Sequence, residues 1–294
     1  MNAPSIADVP APWRALVQEV PPASRWTEIA ESSRGSPARS AYEVAAPAQA
    51  LIANLDDRAA LEDCIDVMAL PAGARVLDAA CGPGVSSALL AGRGHKVVAV
   101  DRDQRMAALA CEVGAEQGVS VIAADLSEPL PFASAEFDAA VLGDCWDTRF
   151  MPELTRVVRT GGSIWVRLSN ILAPIGSGED LAWEARSWSA LNAGYRRAFG
   201  PDSARFLSTL PAEGFDTAGT VLRQSTGRPG ALTGLRRALD FVLWESRFLQ
   251  DELDPGEWRR VLEDWDPASA SPWWSRDHPL TVRAFTLWRH TVRR

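Results

Sequence analysis

Apolar and polar positions alternate along residues 75–168 with two different periods. Short apolar runs predict five buried strands, at 75–79, 96–100, 119–123, 137–142 and 163–168. Apolar residues spaced three and four apart predict helices between the strands, at 85–91, 104–113 and 152–158. Gly92, Gly114 and Gly161 are expected at the helix ends. Strands alternating with helices indicate right-handed βαβ units and therefore a parallel sheet with helices on both faces.

The pattern changes on both sides of this region. Residues 1–40 are rich in Pro, Ala and Ser, which predicts a tail or a mobile lid. Residues 41–70 have helical spacing, and two further strands are predicted at 215–223 and 280–288, among helical segments. The sequence therefore predicts an α/β protein with a doubly wound, seven-stranded, mostly parallel sheet and helical insertions that form a cap. The predicted division is a tail or lid (1–40), a ligand-binding core (41–170), and the remainder of the sheet with substrate-capping insertions (171–294).

Charge and cysteine content narrow the class of protein. The formal net charge is −8 and the pI about 5.1, which disfavours a nucleic-acid partner, because phosphate binding needs a basic surface. The four cysteines and three histidines lack zinc-ligand spacing, so no metal is expected. No apolar stretch reaches the roughly 18 residues of a membrane span, and no leader pattern is present. We expect a cytoplasmic protein without a membrane or nucleic-acid partner, and leave its oligomeric state open.

The segment VLDAACGPGVS, at residues 76–86, is the most informative motif. It predicts a buried strand, a glycine turn and the start of a helix. Gly82 and Gly84 let the backbone approach a ligand closely, because neither has a Cβ. The helix that starts near Val85 directs free amides and a positive dipole end at the same place, which suits a carboxylate or a phosphate.

Two acidic residues close the next two predicted strands. Asp101 ends the second strand, where a carboxylate can accept two hydrogen bonds from a ribose diol. Asp125 follows the third strand and can accept a bond from an adenine amino group. Because the carboxyl ends of adjacent parallel strands meet at one edge, the turn and the two acids predict a nucleoside site. The alternative for each acid alone is a helix N-cap.

These residues resemble the class I S-adenosylmethionine-dependent methyltransferases. The resemblance is greatest to the group with an LPF…FD pattern after the third strand, here Leu130-Pro131-Phe132 and Phe137-Asp138. It covers residues 74–168 and implies a Rossmann-like methyltransferase fold with S-adenosyl-L-methionine as cofactor. It also implies the binding residues: Asp78, Gly82 and Gly84 at the methionine end, Asp101 at the ribose, and Arg102, Met106, Asp125 and Leu126 around the adenine.

Two more positions belong to the expected cofactor site. Ala80 stands where the family usually has glycine, and a methyl group is tolerable there if the backbone is not at positive φ. Tyr42, on the helix before the first strand, is expected to close over the methionine carboxylate. A nicotinamide dinucleotide is the weaker alternative, since its third glycine would fall near Ser87.

Methyl transfer from a sulfonium requires a nucleophile held in line with the S–CH3 bond, so positioning supplies much of the rate and a general base is optional. Asp144, in the loop after the fourth strand, is the first candidate to orient or deprotonate the acceptor, and His278 is the second. The alternative for each is a cap or a solvated side chain. Asp144 and Asp147 could share a metal, although none is expected.

The predicted function is methyl transfer to an O, N or C nucleophile of a small molecule. Flat aromatic or natural-product-like substrates would fit walls formed by the seven tryptophans between residues 183 and 274, although these tryptophans could instead pack the helices together. Two other functions stay open. One is an enzyme of the same fold that binds S-adenosylmethionine but catalyses a non-methylating reaction, such as a cyclisation. The other is a dinucleotide-dependent oxidoreductase.

Overall fold

The computed structural model describes residues 57–145, 147–174, 214–225 and 281–293, with isolated positions at 49–50, 53, 193, 253–257 and 259. The chain divides into two compact units. The first consists of Met1–Asp56, Ile171–Phe206 and Gln224–Val282, and little of it is described. The second consists of Asp57–Asn170, Leu207–Arg223 and Arg283–Arg294 and contains most of the described residues. The division into tail, core and capping part stays a prediction.

The described helices and strands follow the predicted alternation. The helices are α1 (Arg58–Met68), α2 (Val85–Gly92), α3 (Gln104–Gly114) and α4 (Met151–Val157), with 3-10 turns at Ala115–Gln117 and Thr148–Phe150. The strands are β1 (Arg75–Ala79), β2 (Lys96–Asp101), β3 (Ser120–Ala123), β4 (Phe137–Gly143), β5 (Val158–Pro174), β6 (Phe215–Ser225) and β7 (Thr281–Thr291).

The seven strands form one sheet in the order β3-β2-β1-β4-β5-β7-β6. Strand β1 pairs in parallel with both β2 and β4, and β2 with β3 and β4 with β5 pair in the same way. Strand β7 is antiparallel. The register sets Ala79, the last residue of β1, opposite Val100 and Leu142. The carboxyl ends of β1, β2 and β4 therefore meet at one edge, and the predicted mostly parallel α/β sheet is confirmed.

Alternation along the strands gives the sheet two buried faces. On one face Leu77, Val100 and Leu142 are fully buried and pack with Leu154 of α4. Burying each such side chain contributes about 1.5–3 kcal/mol. The opposite face is lined by small residues near β2, where Ala99 packs against Ala110 of α3 and Cys81. Small side chains on this face allow α3 to approach the sheet closely.

The pairing of β4 with β5 is irregular near the start of β4. Gly161 lies in β5 at φ +77°. A Cβ on Gly162 would lie only 2.6 Å from the Asp138 carbonyl oxygen. The expectation that Gly161 ends a helix is therefore wrong, because α4 already stops at Val157. A glycine at positive φ serves a strand irregularity as well as a helix end.

The predicted capping insertions, at 171–200 and 228–278, lie almost wholly outside the described residues. The same is true of the predicted tail at 1–40. Within the part of the chain that is described, no helix is both long enough and apolar enough to cross a bilayer.

Candidate functional site

Asp101 lies where the sequence predicts a ribose-binding acid, at the last position of β2. Its Oδ2 accepts a hydrogen bond of 2.8 Å from the Gly82 amide, and its Oδ1 accepts one of 2.9 Å from the Asp103 amide. Burial raises the pKa of this carboxyl, while the two amide bonds oppose the rise. The carboxylate is therefore held in a fixed orientation beside the glycine turn.

The N-cap of α3 is Asp103. Its Oδ1 accepts bonds from the Arg105 amide at 2.9 Å and from the Met106 amide at 3.0 Å, the usual arrangement of a capping aspartate. The N-cap alternative for Asp101 is therefore wrong. The two acids have different roles. Asp103 accepts hydrogen bonds from the first amides of α3, and Asp101 orients the turn that follows β1.

The glycine turn has the backbone that its sequence predicts, and Gly84 is also required for helix packing. Gly82 and Gly84 have φ of +55° and +80°, values that favour glycine. A Cβ on Gly84 would lie 2.7 Å from both Cα and Cβ of Ala110 in α3. Gly84 thus allows α2 and α3 to pack closely, and its predicted role in the approach of a ligand stays a prediction.

Ala80 has φ +54°. The condition for tolerating alanine in place of the family's glycine is therefore not met. An L-residue in the left-handed region costs about 1–2 kcal/mol relative to ordinary backbone, so this turn is strained at Ala80. Such strain persists only where the surroundings hold the backbone in place.

Asp78 lies in β1 just before the turn, and the residue is only 2% exposed. Its Oδ2 accepts a hydrogen bond from Ser87 Oγ, on the first turns of α2. Burial raises the pKa of Asp78 to about 6, opposed by the Ser87 bond and by the charge of Arg167. The carboxyl expected at the methionine end is thus buried, and its charge changes close to neutral pH.

Asp125 is half-buried, and its side chain is hydrogen-bonded to Ser127, two residues further along the chain. Its Oδ1 accepts hydrogen bonds from the amide (2.9 Å) and hydroxyl (2.7 Å) of Ser127. These two bonds lower the pKa of Asp125, with help from the charges of Arg102 and Arg149. No helix begins at Asp125, so its N-cap alternative is wrong in detail, although the side chain does organise the turn after β3.

The other residues expected near the adenine differ in accessibility. Leu126 is 5% and Met106 2% exposed, and both belong to the core. Arg102 is exposed. Its charge opposes the rise that burial causes in the pKa of Asp101, and it adds to the lowering of the Asp125 pKa by Ser127. Arg102 is therefore electrostatically coupled to both acids at this edge of the sheet.

Asp144 lies directly after β4 with φ +52°. Its amide donates a hydrogen bond of 2.8 Å to the Arg167 carbonyl oxygen, and its Oδ2 lies 3.1 Å from Arg167 Nη2. Arg167 was missed by the sequence analysis. The signal that could have found it is one charged residue near the carboxyl end of the otherwise apolar run SIWVRL.

The rest of this loop carries a second ion pair. Asp147 Oδ2 accepts bonds of 2.9 and 2.6 Å from Nε and Nη2 of Arg149, and this pairing lowers the pKa of Asp147. Both aspartates that could have shared a metal therefore pair with arginines. Among the residues that the structure describes, no group of three or more His, Cys, Asp or Glu is placed to hold a metal ion.

Cys145 lies between those two aspartates and is partly buried. Burial raises the pKa of its thiol to about 11, with a further rise from the charges of Asp101, Asp144 and Asp147. The thiol is therefore protonated at neutral pH and is a poor nucleophile.

The LPF…FD motif lies at the opposite edge of the sheet. Phe137 is the first residue of β4, and its ring packs edge-on against Phe132 at a centroid distance of 5.0 Å. Asp138 accepts a bond of 2.8 Å from the Arg75 amide at the start of β1. Asp138 and Phe137 of the motif therefore support the amino ends of β1 and β4.

Two residues of the expected site lie outside the described part of the chain. They are Tyr42 and His278. The predicted roles of Tyr42 and His278 stay predictions.

The fold and this edge define a Rossmann-like α/β domain with a glycine turn and acids at the strand ends. Residues 76–162 match the family described as "Methyltransferase domain". This part of the chain is a class I S-adenosylmethionine-dependent methyltransferase domain. Its cofactor is therefore S-adenosylmethionine.

Several solved structures are similar to this chain at low sequence identity, with TM-scores below 0.5. A candidate methyltransferase from Bacillus halodurans C-125 is 17% identical, covers 79% of this chain and 98% of its own, and has a TM-score of 0.45. A candidate S-adenosyl-L-methionine-dependent methyltransferase from Methanococcus maripaludis is 17% identical over 42% of this chain and 62% of its own, with a TM-score of 0.38. A candidate sarcosine dimethylglycine methyltransferase from Galdieria sulphuraria is 16% identical over 79% of this chain and 84% of its own, with a TM-score of 0.41. No curated protein matches the sequence. Likenesses at this level do not indicate a substrate.

Proposed function

We propose that this protein transfers the methyl group of S-adenosylmethionine to an O, N or C nucleophile of a small molecule. The cofactor is proposed to bind at the carboxyl ends of β1, β2 and β3, with the acceptor near the loop after β4. The observation that supports the proposal best is the Asp101 carboxylate, which two backbone amides hold beside the glycine turn.

The geometry of Asp101 suits a diol. A carboxylate has about four lone-pair positions on its two oxygens. The Gly82 and Asp103 amides use one on each oxygen, which leaves one on each for the two hydroxyls of a ribose. Since the amides fix the carboxylate before the ligand arrives, less conformational freedom is lost on binding.

The turn and the start of α2 suit the amino-acid end of the cofactor. Gly82 and Gly84 hold the backbone at positive φ just before α2, where free amides and the helix dipole favour a carboxylate. The buried Asp78 lies just before the turn and would act on the cofactor's ammonium group through its charge. Gly84 fits this arrangement by its packing, and Ala80 fits it at the cost of backbone strain.

The acceptor side is proposed to involve Asp144. The bound cofactor supplies a methyl group on a sulfonium, which is a good electrophile without acid catalysis. The remaining task of the protein is to orient the nucleophile. Asp144 is 39% exposed in its side chain, so a hydroxyl or amine of the acceptor can reach it. His278 stays the second proposed candidate for this role.

The net charge of −8 supports a small substrate over a nucleic acid, because polyanions bind to basic surfaces. Which atom of the substrate accepts the methyl group is to be determined with a panel of substrates.

Isothermal titration calorimetry with S-adenosylmethionine and S-adenosylhomocysteine tests the cofactor part of this proposal. We expect micromolar binding by wild type, a loss of about tenfold or more in Asp101→Ala, and wild-type binding in the control Asp216→Ala. Asp216 is exposed on β6. Equal binding by Asp101→Ala would contradict the ribose assignment, and binding of a nicotinamide dinucleotide alone would contradict the proposed cofactor.

A substrate panel tests the reaction. Release of S-adenosylhomocysteine with phenols, amines or enolisable carbonyl compounds would identify the acceptor class. Tight cofactor binding without product release across the panel, but with cyclised products, would favour the non-methylating alternative.

A further inference from the structure

Arg167 lies at the carboxyl end of β5, beside the loop that carries Asp144. Its side chain is only 12% exposed, and a guanidinium in such a position is costly unless it is paired. Nη2 of Arg167 lies 3.1 Å from Asp144 Oδ2, and the Arg167 carbonyl oxygen accepts a bond of 2.8 Å from the Asp144 amide. Both the side chain and the backbone of Arg167 therefore hold the same residue.

The neighbouring strands are shaped around this guanidinium. A Cβ on Gly143, the last residue of β4, would lie 2.4 Å from Arg167 Nη2. On the other side the guanidinium lies 5.7 Å from the ring centroid of Phe285 in β7, within range of a cation–π contact. Arg167 thus has one defined place, over Gly143 and against Phe285.

Asp144 needs such support because its φ of +52° is unusual for a residue other than glycine. A backbone in this region persists where contacts over-determine it. The contacts with Arg167 fix both the amide and the carboxylate of Asp144.

We propose that Arg167 is a positioning residue that sets the direction of the Asp144 carboxylate toward the acceptor. This inference rests on the proposed function, since the bound methyl donor defines the acceptor side. Arg167 also links the two ends of the site, because its charge lowers the pKa of Asp78 against the effect of burial. Loss of Arg167 should therefore disturb the loop after β4 and the methionine end together.

The first test uses Cys145, next to Asp144, as a reporter of the loop and needs no cofactor. Its thiol is partly buried and has a raised pKa, so alkylation is slow while the loop is held. We expect Arg167→Gln to speed iodoacetamide labelling of Cys145 at pH 8 by about fivefold or more, measured by peptide mass spectrometry. The exposed Cys111 serves as internal reference. Arg149→Gln is the control, because it breaks the other ion pair of the same loop.

A second variant displaces the guanidinium without removing a charge. Gly143→Ala puts a methyl group where Arg167 Nη2 lies, and the tip of a flexible side chain can move aside. We expect it to speed Cys145 labelling as Arg167→Gln does, with Cys111 unchanged. If Arg167→Gln does not fold, labelling of Cys145 in Gly143→Ala alone tests whether Arg167 holds the loop. Labelling at the wild-type rate in the folded variants, or equal acceleration by Arg149→Gln, overturns the proposal.

A pH profile separates positioning from simple support. Without the positive charge of Arg167, the Asp78 carboxylate should take up its proton at a higher pH. When the pH is lowered, Arg167→Gln should therefore lose affinity for S-adenosylhomocysteine at a higher pH than wild type does. Arg167→Lys keeps the charge and should restore the wild-type profile. An unshifted profile in Arg167→Gln overturns the link to Asp78. Absence of cofactor binding by wild type contradicts the proposed function instead, while the labelling test stands.

Discussion

The Gly82 amide donates a hydrogen bond of 2.8 Å to Asp101 Oδ2, across the gap between the β1 turn and the end of β2. The bond joins the glycine turn to the acid that is expected at the ribose, two parts of the site that are 19 residues apart in the sequence. It makes the glycine turn dependent on Asp101 even when no ligand is bound. A substitution at Asp101 is therefore expected to affect folding as well as binding.

Asp101→Asn should lower the free energy of unfolding by about 1–2 kcal/mol, because the amide group cannot accept at both positions and the bonds lost involve a charged acceptor. Urea denaturation at pH 7 measures the change. The matched control is Asp125→Asn, whose bonds are local to Ser127 and more exposed. A smaller loss in Asp101→Asn than in Asp125→Asn would contradict a structural role for the Gly82 bond.

Ala80→Gly should stabilise the protein by up to about 1 kcal/mol. It removes the strain of alanine at φ +54°, and the greater freedom of glycine in the unfolded chain offsets part of the gain. Thermal unfolding compares it with Ala88→Gly, in the middle of α2. The control should lose about 1 kcal/mol. Destabilisation by both variants would mean that Ala80 is not strained.

Gly84→Ala should be markedly more destabilising than Gly94→Ala. Both glycines have strongly positive φ, at +80° and +86°, so the backbone penalty is similar. Only Gly84 also faces the Ala110 backbone at 2.7 Å, while a Cβ on Gly94 would meet nothing within 4 Å. We expect about 1 kcal/mol for Gly94→Ala and at least about 1–3 kcal/mol more for Gly84→Ala. Equal costs in denaturant titrations would show that α3 yields to the added methyl group.

Asp78→Asn should make stability less dependent on pH. The folded-state pKa of Asp78 is raised from 3.8 to about 6. Its contribution to stability is therefore fully present below pH 3.8 and is lost as the pH rises through about 6. Asparagine stays neutral and can still accept the Ser87 bond. From pH 4 to pH 8, the advantage of Asp78→Asn over wild type should grow by about 2 kcal/mol.

Urea titrations at several pH values measure that difference. The same variant should bind S-adenosylmethionine more weakly at pH 8, because the charge just before the turn is gone. A stability difference that does not change between pH 4 and pH 8 would show that the pKa of Asp78 is not raised by burial.

The fold was predictable because the periods of the apolar pattern differ between strands and helices. Asp101 at the end of β2 followed from the same pattern. The boundaries were less predictable: β5 runs from Val158 to Pro174, well beyond the predicted 163–168, because polar residues in a strand hide its ends. Gly161 was misassigned since glycine at positive φ has several uses.

The details of the site depended on contacts distant in sequence. The packing need for Gly84 comes from Ala110 on the next helix, and the strain at Ala80 is a property of the folded turn. Arg167 became a candidate only when its guanidinium was seen beside Asp144. Spacing along the chain carries no information about such contacts.

The position of the LPF…FD motif affects how mutations in this protein should be interpreted. Arg156 donates to the carbonyl oxygens of Leu130 and Phe132, at 3.1 and 2.8 Å, and Glu153 accepts a bond of 2.6 Å from the Leu130 amide. The LPF part of this motif is thus held to α4 by hydrogen bonds. Altered chains with changes there would be degraded sooner in cells while each surviving molecule kept its turnover. A screen of activity in crude lysates would mistake that loss of protein for loss of catalysis.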